Sequence, residues 1–230
     1  MLRSMADFFN KEASLAYDEK NRKLAPIAEG MHFLIRLVLQ RLPARARILC
    51  VGVGTGAEIL SLAKDFPEWT FLGVDPSAEM LMVGKQRLKA AGVLDRCELV
   101  HGYVQDVAEG EEFDAAVSVL VGHFVKREER LGFYRGMASR IRPGGILVNT
   151  EISYDLNSRE FPAMLKSWEQ VQTLMGASPE SLATLPATLK DVLTVLPPDE
   201  IESLLRIGGI SVPVRFFRAF MIVGWFGVKG

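Results

Sequence analysis

The residues best placed to do chemistry lie in the run Ile48-Leu-Cys-Val-Gly-Val-Gly-Thr-Gly-Ala-Glu58. Gly52, Gly54 and Gly56 alternate there, directly after a buried-strand pattern. Without a Cβ they permit a tight turn and let a ligand approach the backbone closely. Asp75 ends the next strand pattern, where a carboxylate can accept two hydrogen bonds from the vicinal hydroxyls of a ribose. This combination points to a nucleoside site, against the plainer alternative of a packing turn. Gly52-x-Gly54-x-x-Ala57 also satisfies the dinucleotide pattern G-x-G-x-x-G/A, so a nicotinamide oxidoreductase is a competing reading.

The surrounding elements must bring these residues to one edge. Arg47–Val53 reads as an apolar, β-branched strand, followed past the glycines by a helix through Ile59, Leu60, Leu62 and Ala63. Phe71–Val74 is a second strand, and Met80, Leu81, Val83 and Leu88 line a helix ending near Gly92. Leu99–Tyr103 and Phe113–Leu120 read as strands three and four. Leu131, Tyr134, Met137, Ala138 and Ile141 line a helix that Pro143-Gly144-Gly145 terminates, before a fifth strand at Ile146–Ile152. Strands apolar on both faces, alternating with amphipathic helices, predict a parallel sheet covered on both sides. A ligand is then expected at the carboxyl edge of the strands.

Before this alternation, Met31, Phe33, Leu34, Leu37, Val38 and Leu42 mark a helix from Ile27 that Pro43 stops. After it, Tyr154–Pro197 is helical, with Phe161, Met164, Leu165, Trp168, Val171 and Leu174 on one stripe. Asn157 and Glu160 resemble a capping box there, and Gly176 follows the last turn. A helix at Asp199–Arg206 and two strands near Val212–Phe216 and Ala219–Val228 close the chain. The expected fold class is α/β: a Rossmann-like doubly wound sheet, mostly parallel and seven-stranded, with an antiparallel last strand. Residues 1–230 read as a single domain, with 1–45 an N-terminal lid and helix and 154–197 a helical insertion after strand five.

Composition narrows the function classes. With 27 Lys+Arg against 28 Asp+Glu the net charge is -1, which argues against gripping nucleic acid phosphates, so no nucleic acid partner is expected. The start, MLRSMADFFNKEAS, lacks a signal-peptide core, and the apolar run Ala219–Val228 is too short to cross a membrane. Cys50 and Cys97 have neither metal nor disulfide spacing and read as buried small hydrophobes. A cytoplasmic protein without membrane or metal is the expectation.

At the glycine turn and beyond, the sequence resembles the class I S-adenosylmethionine-dependent methyltransferases. Their signature is a strand ending in acidic-x-G-x-G-x-G, an acidic residue closing strand two, and a fourth strand like FDxVxSxxxxxHF. Here these are CVGVGTG, GVDPSAEML and FDAAVSVLVGHFV, followed by Ile141-Arg-Pro-Gly-Gly145. The likeness runs from about Ile48 to Ser153, with the last two strands matching the family's closing hairpin. It implies S-adenosylmethionine as cofactor, with Gly52, Gly54 and Gly56 at its methionine end and Asp75 on the ribose hydroxyls. Pro76 or Met80 would flank the adenine. Asp106 would accept from the adenine amino group, with Gln105 beside it, unless Asp106 is an ordinary turn cap. Leu120 would offer its carbonyl to the methionine ammonium. Cys50 stands where the family usually has the Asp or Glu that helps hold that ammonium. Glu58 is either a substitute or a solvated helix-start glutamate.

Methyl transfer from a sulfonium is an in-line displacement, so the protein chiefly aligns the acceptor, excludes water and, for some acceptors, removes a proton. His123, Glu151 and Tyr154, near the ends of strands four and five, are the catalytic candidates. His32 reads as a boundary residue, His101 as a core histidine, and Tyr17 lies in a segment that often closes over the cofactor in this family. The back half also resembles the bacterial carboxy-S-adenosylmethionine synthases, which serve tRNA modification. That family holds a carboxylate with an arginine in the insertion, and the matching stretch Leu182–Lys190 has none, which favours an ordinary methyl donor. The expected function is methyl transfer to a small, largely uncharged acceptor. The alternatives are such a synthase or a catalytically silent nucleoside-binding protein. The insertion is expected to roof the acceptor pocket, with its apolar stripe buried against the main domain, an apolar substrate or a second copy in a homodimer.

Overall fold

The computed structural model of the chain describes residues 22–108 and 113–230. The expected lid before them, Tyr17 included, lies outside the described residues. Helix α1 spans Ala25–Leu39 and leads into β1 at Arg47–Val51, then α2 at Ala57–Asp65. The alternation continues through β2 (Thr70–Asp75), α3 (Ala78–Ala90), β3 (Cys97–His101), β4 (Phe113–Val119), α4 (Arg127–Arg140) and β5 (Ile141–Ile152). The insertion carries α5 (Phe161–Leu174), α6 (Pro179–Ala183) and two further turns over Leu185–Val192. Helix α7 (Pro198–Ile207) precedes the closing hairpin of β6 (Val214–Ala219) and β7 (Ile222–Val228).

These strands form one seven-stranded sheet in the order β3-β2-β1-β4-β5-β7-β6. Strands β1 to β5 pair in parallel, and β7 runs antiparallel to both of its neighbours. The order reverses between β1 and β4, so a crevice must open at their carboxyl ends. Alternate residues of β1 feed the two layers. Ile48 and Cys50 join α1, α2 and the insertion, whereas Leu49 and Val51 join α4 and α7. Trp168 and Val171 of the insertion stripe are buried in the α1 layer, so most of that stripe packs against its own chain.

Several local expectations are corrected. β3 starts two residues earlier than predicted, because Cys97–His101 pair in register with Phe71–Asp75. His101 therefore reaches the strand's end, is exposed rather than core, and its Nε2–H donates to the Pro76 carbonyl at 3.0 Å. No capping box forms at Asn157 and Glu160: Pro162 sits in the first turn of α5, Glu160 caps without a side-chain bond, and the Asn157 N–H donates to Asp155 instead. β5 begins at Ile141 and swallows the Pro-Gly-Gly stretch as a bulge, where pairing jumps from Phe113↔Ile141 to Ala115↔Ile146.

Candidate functional site

The turn after β1 is built on left-handed backbone. Gly52, Gly54 and Gly56 have φ of +69°, +49° and +76°, which L side chains rarely adopt. A Cβ on Gly52 would overlap Val121, and one on Gly54 would lie 3.1 Å from the Met80 methyl. Asp75 ties this turn to the next one. Its Oδ2 accepts from the Gly54 N–H at 2.8 Å and its Oδ1 from the Ser77 N–H at 2.9 Å. Burial pushes the Asp75 carboxyl up, and these two N–H groups oppose that shift. Ser77 then caps α3, its hydroxyl accepting from the Met80 N–H at 3.2 Å.

Two cavities meet at this turn. The first, about 160 Å³, lies between the glycine turn, Asp75, the end of β4 and α1. Leu24, Ile27, Ala28 and Met31 form its roof, with Val53, Val119, Val121 and Ile222 as further apolar walls. The second, about 710 Å³, shares Gly52, Pro76, Val121 and Phe124 with the first. It runs on past Tyr103, Val104 and Gln105 to the start of α4, where Asp191, Val192 and Thr194 of the insertion close it. Together they make one crevice across the β1/β4 switch point. At its centre Leu120 holds φ +58°, a costly conformation for a branched side chain. It is pinned by its N–H donating to the Thr150 carbonyl at 2.7 Å.

Of the residues expected at the cofactor, Gly52, Gly54, Asp75, Pro76, Met80 and Leu120 line the first cavity and Gln105 the second. Gly56 lines neither; it caps α2, and a Cβ there would meet Leu88 at 3.5 Å. Asp106 also lines neither. Its Oδ2 accepts from the Tyr103 N–H at 2.7 Å and closes a tight turn beneath Gly102, so the turn-cap alternative describes its contacts.

The three catalytic candidates sit behind the crevice wall, and none lines either cavity. The segment after β4 folds over the end of β5 and covers them. His123 is buried, its Nδ1 accepts from the Ile152 N–H at 3.3 Å, and burial followed by the Arg130 charge pushes its pKa down to about 3. Glu151 is ion-paired with Arg130, and both side chains are 0% exposed. Glu151 also accepts from the Tyr134 hydroxyl and, at 2.8 Å, from Asn149 Nδ2. Arg130 in turn donates to the carbonyls of Val125 and Thr194 at 3.1 and 2.8 Å. Tyr154 packs in the core under Phe161, with the Arg218 guanidinium 5.6 Å from its ring.

Two residues that face the first cavity were underweighted by pattern reading. His32 lies one step from the stripe Leu24, Ala28 and Met31, and burial followed by the Arg36 charge pushes its pKa down to about 4. Glu58 is 5% exposed, not solvated, and burial pushes its carboxyl up to about 8. Cys50 behind it is fully buried, and burial raises its thiol well above the usual range. The lining of the first cavity contains no Lys or Arg among the described residues, and Lys190 is exposed and lines neither cavity. Among the described residues no cluster of His, Cys, Asp and Glu could hold a metal, and no helix is long and apolar enough to cross a membrane.

A family model described as a methyltransferase domain matches residues 48–145. The carboxy-S-adenosyl-L-methionine synthase of Campylobacter hominis is 21% identical over 226 residues, 94% of this chain and 92% of the relative. The trans-aconitate 2-methyltransferase of Deinococcus radiodurans is 28% identical over 178 residues, 73% of this chain and 64% of the relative. A solved structure from Nostoc punctiforme, described as a candidate O-methyltransferase, matches with a TM-score of 0.69 at 16% identity. It covers 95% of this chain, and this chain spans 59% of that one. At that identity the likeness speaks for the fold.

Proposed function

We propose that this chain, whose residues 48–145 match a methyltransferase domain, is a class I methyltransferase that uses S-adenosylmethionine as cofactor and methylates a small, largely apolar acceptor. The observation that carries the acceptor class is the apolar roof that Leu24, Ile27, Ala28 and Met31 lay over the cavity holding the glycine turn and Asp75. The residues present fit the cofactor. The glycine cradle is space that a Cβ at Gly52 or Gly54 would fill, and two buried acidic groups, Asp75 and Glu58, line the same cavity. When bound, the cofactor supplies a methyl group on a sulfonium, an already activated carbon.

The chain's own part is to bind, align and dry. Each Asp75 oxygen accepts one backbone N–H and keeps a second lone pair for a ribose hydroxyl. Pro76, Val104, Gln105 and Phe124 give the second cavity a mixed apolar and amide surface suited to a purine. Leu24, Ile27, Ala28 and Met31 exclude water from the reacting end. His32 is neutral and a weak base, so alignment rather than proton abstraction is the main source of rate in this reading. His123, Glu151 and Tyr154 act in it by supporting the wall.

The near-full-length likeness to a carboxy-S-adenosyl-L-methionine synthase favours a second reading, in which the sulfonium bears a carboxymethyl group. A carboxylate there calls for a cation, and among the described residues no Lys or Arg lines the first cavity, Lys126 and Arg127 lining only the second. Native mass spectrometry of protein purified without added ligand separates the two. S-adenosylmethionine or S-adenosylhomocysteine supports methyl transfer, and a ligand heavier by one carboxyl supports the synthase.

The finer surroundings are part of the same proposal. Cys50 and Cys97 are free thiols, as the reducing cytoplasm would keep them. A homodimer rests on Leu174, the 54%-exposed end of the insertion stripe; light scattering that shows only monomer at high concentration removes it.

A further inference from the structure

Glu58 is a buried carboxyl to which the fold assigns no donor for one oxygen. It stands in the first turn of α2, lines the first cavity and is 5% exposed, and its Oε1 has no hydrogen-bond partner among the described residues. An unsatisfied buried acceptor is costly, and a cavity-facing one marks a place where a ligand completes the bonding. We propose that Glu58 is the specificity residue for the amino-acid end of the cofactor, its carboxylate accepting hydrogen bonds from the α-ammonium. This rests on the S-adenosylmethionine reading above.

The chemistry selects the ammonium. It carries N–H donors and a positive charge, whereas the sulfonium has a charge but no N–H to offer an orphaned oxygen. Asp75, the other carboxyl on this cavity, has a backbone N–H on each oxygen, and its remaining lone pairs are assigned above to the ribose hydroxyls. The titratable groups facing Glu58 are Cys50 from β1, Asp75 from β2, Arg87 from α3 and, across the cavity, His32 from α1. Arg87 donates to the carbonyl and hydroxyl of Thr55 at 3.0 and 2.6 Å, and Cys50 and His32 are held uncharged by burial. Burial pushes the Glu58 carboxyl up to about 8, so the carboxylate form needs a partner at neutral pH. An arriving ammonium favours the carboxylate, so the carboxyl proton leaves for solvent as the ligand binds.

The test is calorimetric titration of the full chain and of Glu58→Gln at pH 7 with S-adenosylhomocysteine, S-adenosylmethionine and 5′-methylthioadenosine. The last shares the nucleoside and thioether but has no ammonium. Glu58→Gln should weaken both amino-acid-bearing ligands by roughly ten- to a hundredfold, the range of one charge-assisted bond, and leave methylthioadenosine unchanged. Repeating the wild-type titration in buffers of different ionisation enthalpy should show proton release with S-adenosylhomocysteine and none with methylthioadenosine. That measurement needs no variant. Equal S-adenosylhomocysteine affinity in the two proteins, absence of proton release, or a loss confined to S-adenosylmethionine would overturn the assignment. If none of the three ligands bound the wild type, the cofactor reading itself would fall instead.

Discussion

Glu151 offers a sharp test of what the buried residues behind the crevice do. Its carboxylate accepts from Arg130, Tyr134 and Asn149, and neither it nor Arg130 is exposed. Glu151→Gln removes the charge and leaves a guanidinium in the interior with neutral partners alone, chiefly the Val125 and Thr194 carbonyls and the Tyr134 hydroxyl. Breaking one side of such a pair costs about 3–5 kcal/mol. For a domain of this size that is a fall in Tm of roughly 6–20 °C. Urea unfolding at 25 °C and scanning calorimetry would read it, with the denaturant slope unchanged. Val125 and Thr194 line the second cavity, so nucleoside affinity should weaken as well. The double variant Arg130→Met with Glu151→Leu should recover most of the stability, because it removes both charges together. A Glu151→Gln protein within about 0.5 kcal/mol of wild type, yet unable to transfer methyl groups, would refute the structural role and restore a catalytic one.

The other predictions concern the crevice and the core. Asp75→Ala should lose at least about 1.5 kcal/mol of S-adenosylhomocysteine affinity by calorimetry, since two ribose hydroxyls lose a charged acceptor; unchanged affinity removes Asp75 from the site. His123 has a folded pKa of about 3 against an ordinary 6.5, so below 6.5 the unfolded chain takes up a proton the native one refuses. Stability should therefore fall as pH drops from 6.5 towards 3, and His123→Asn should show a shallower fall. His32, at about 4, pulls the same way, so the slope should not vanish. Cys50 should resist a thiol reagent in the folded protein, its thiol being buried and raised; rapid labelling would contradict its place in β1.

The order of elements was legible because buried parallel strands are apolar on both faces and break cleanly at Gly, Pro and Asp. Ends were less so: His101 reads as interior by pattern, and only pairing with Asp75 places it at the rim. Gly52, Gly54 and Asp75 were legible as parts of one turn because left-handed backbone demands glycine and a carboxylate at the end of β2 can tie that turn down. His123 and Glu151 do stand near the right edge of the sheet. What hides them is the left-handed Leu120 and the close approach of Gly122 to the Glu151 carboxyl, neither of which has a periodic signature. His32 was missed for a related reason. A helix stripe shows that one face is covered, but its placement over the crevice is decided by tertiary packing of Met31, Ile35 and Leu39.

The central claim is that the crevice at the β1/β4 switch point binds S-adenosylmethionine rather than a nicotinamide dinucleotide. Titration of the wild-type chain with S-adenosylmethionine, S-adenosylhomocysteine and NAD in one buffer tests it most directly. One-site binding of the first two, with NAD much weaker, is the predicted result. NAD binding as tightly as S-adenosylhomocysteine, or no binding of either sulfur nucleoside, would contradict it.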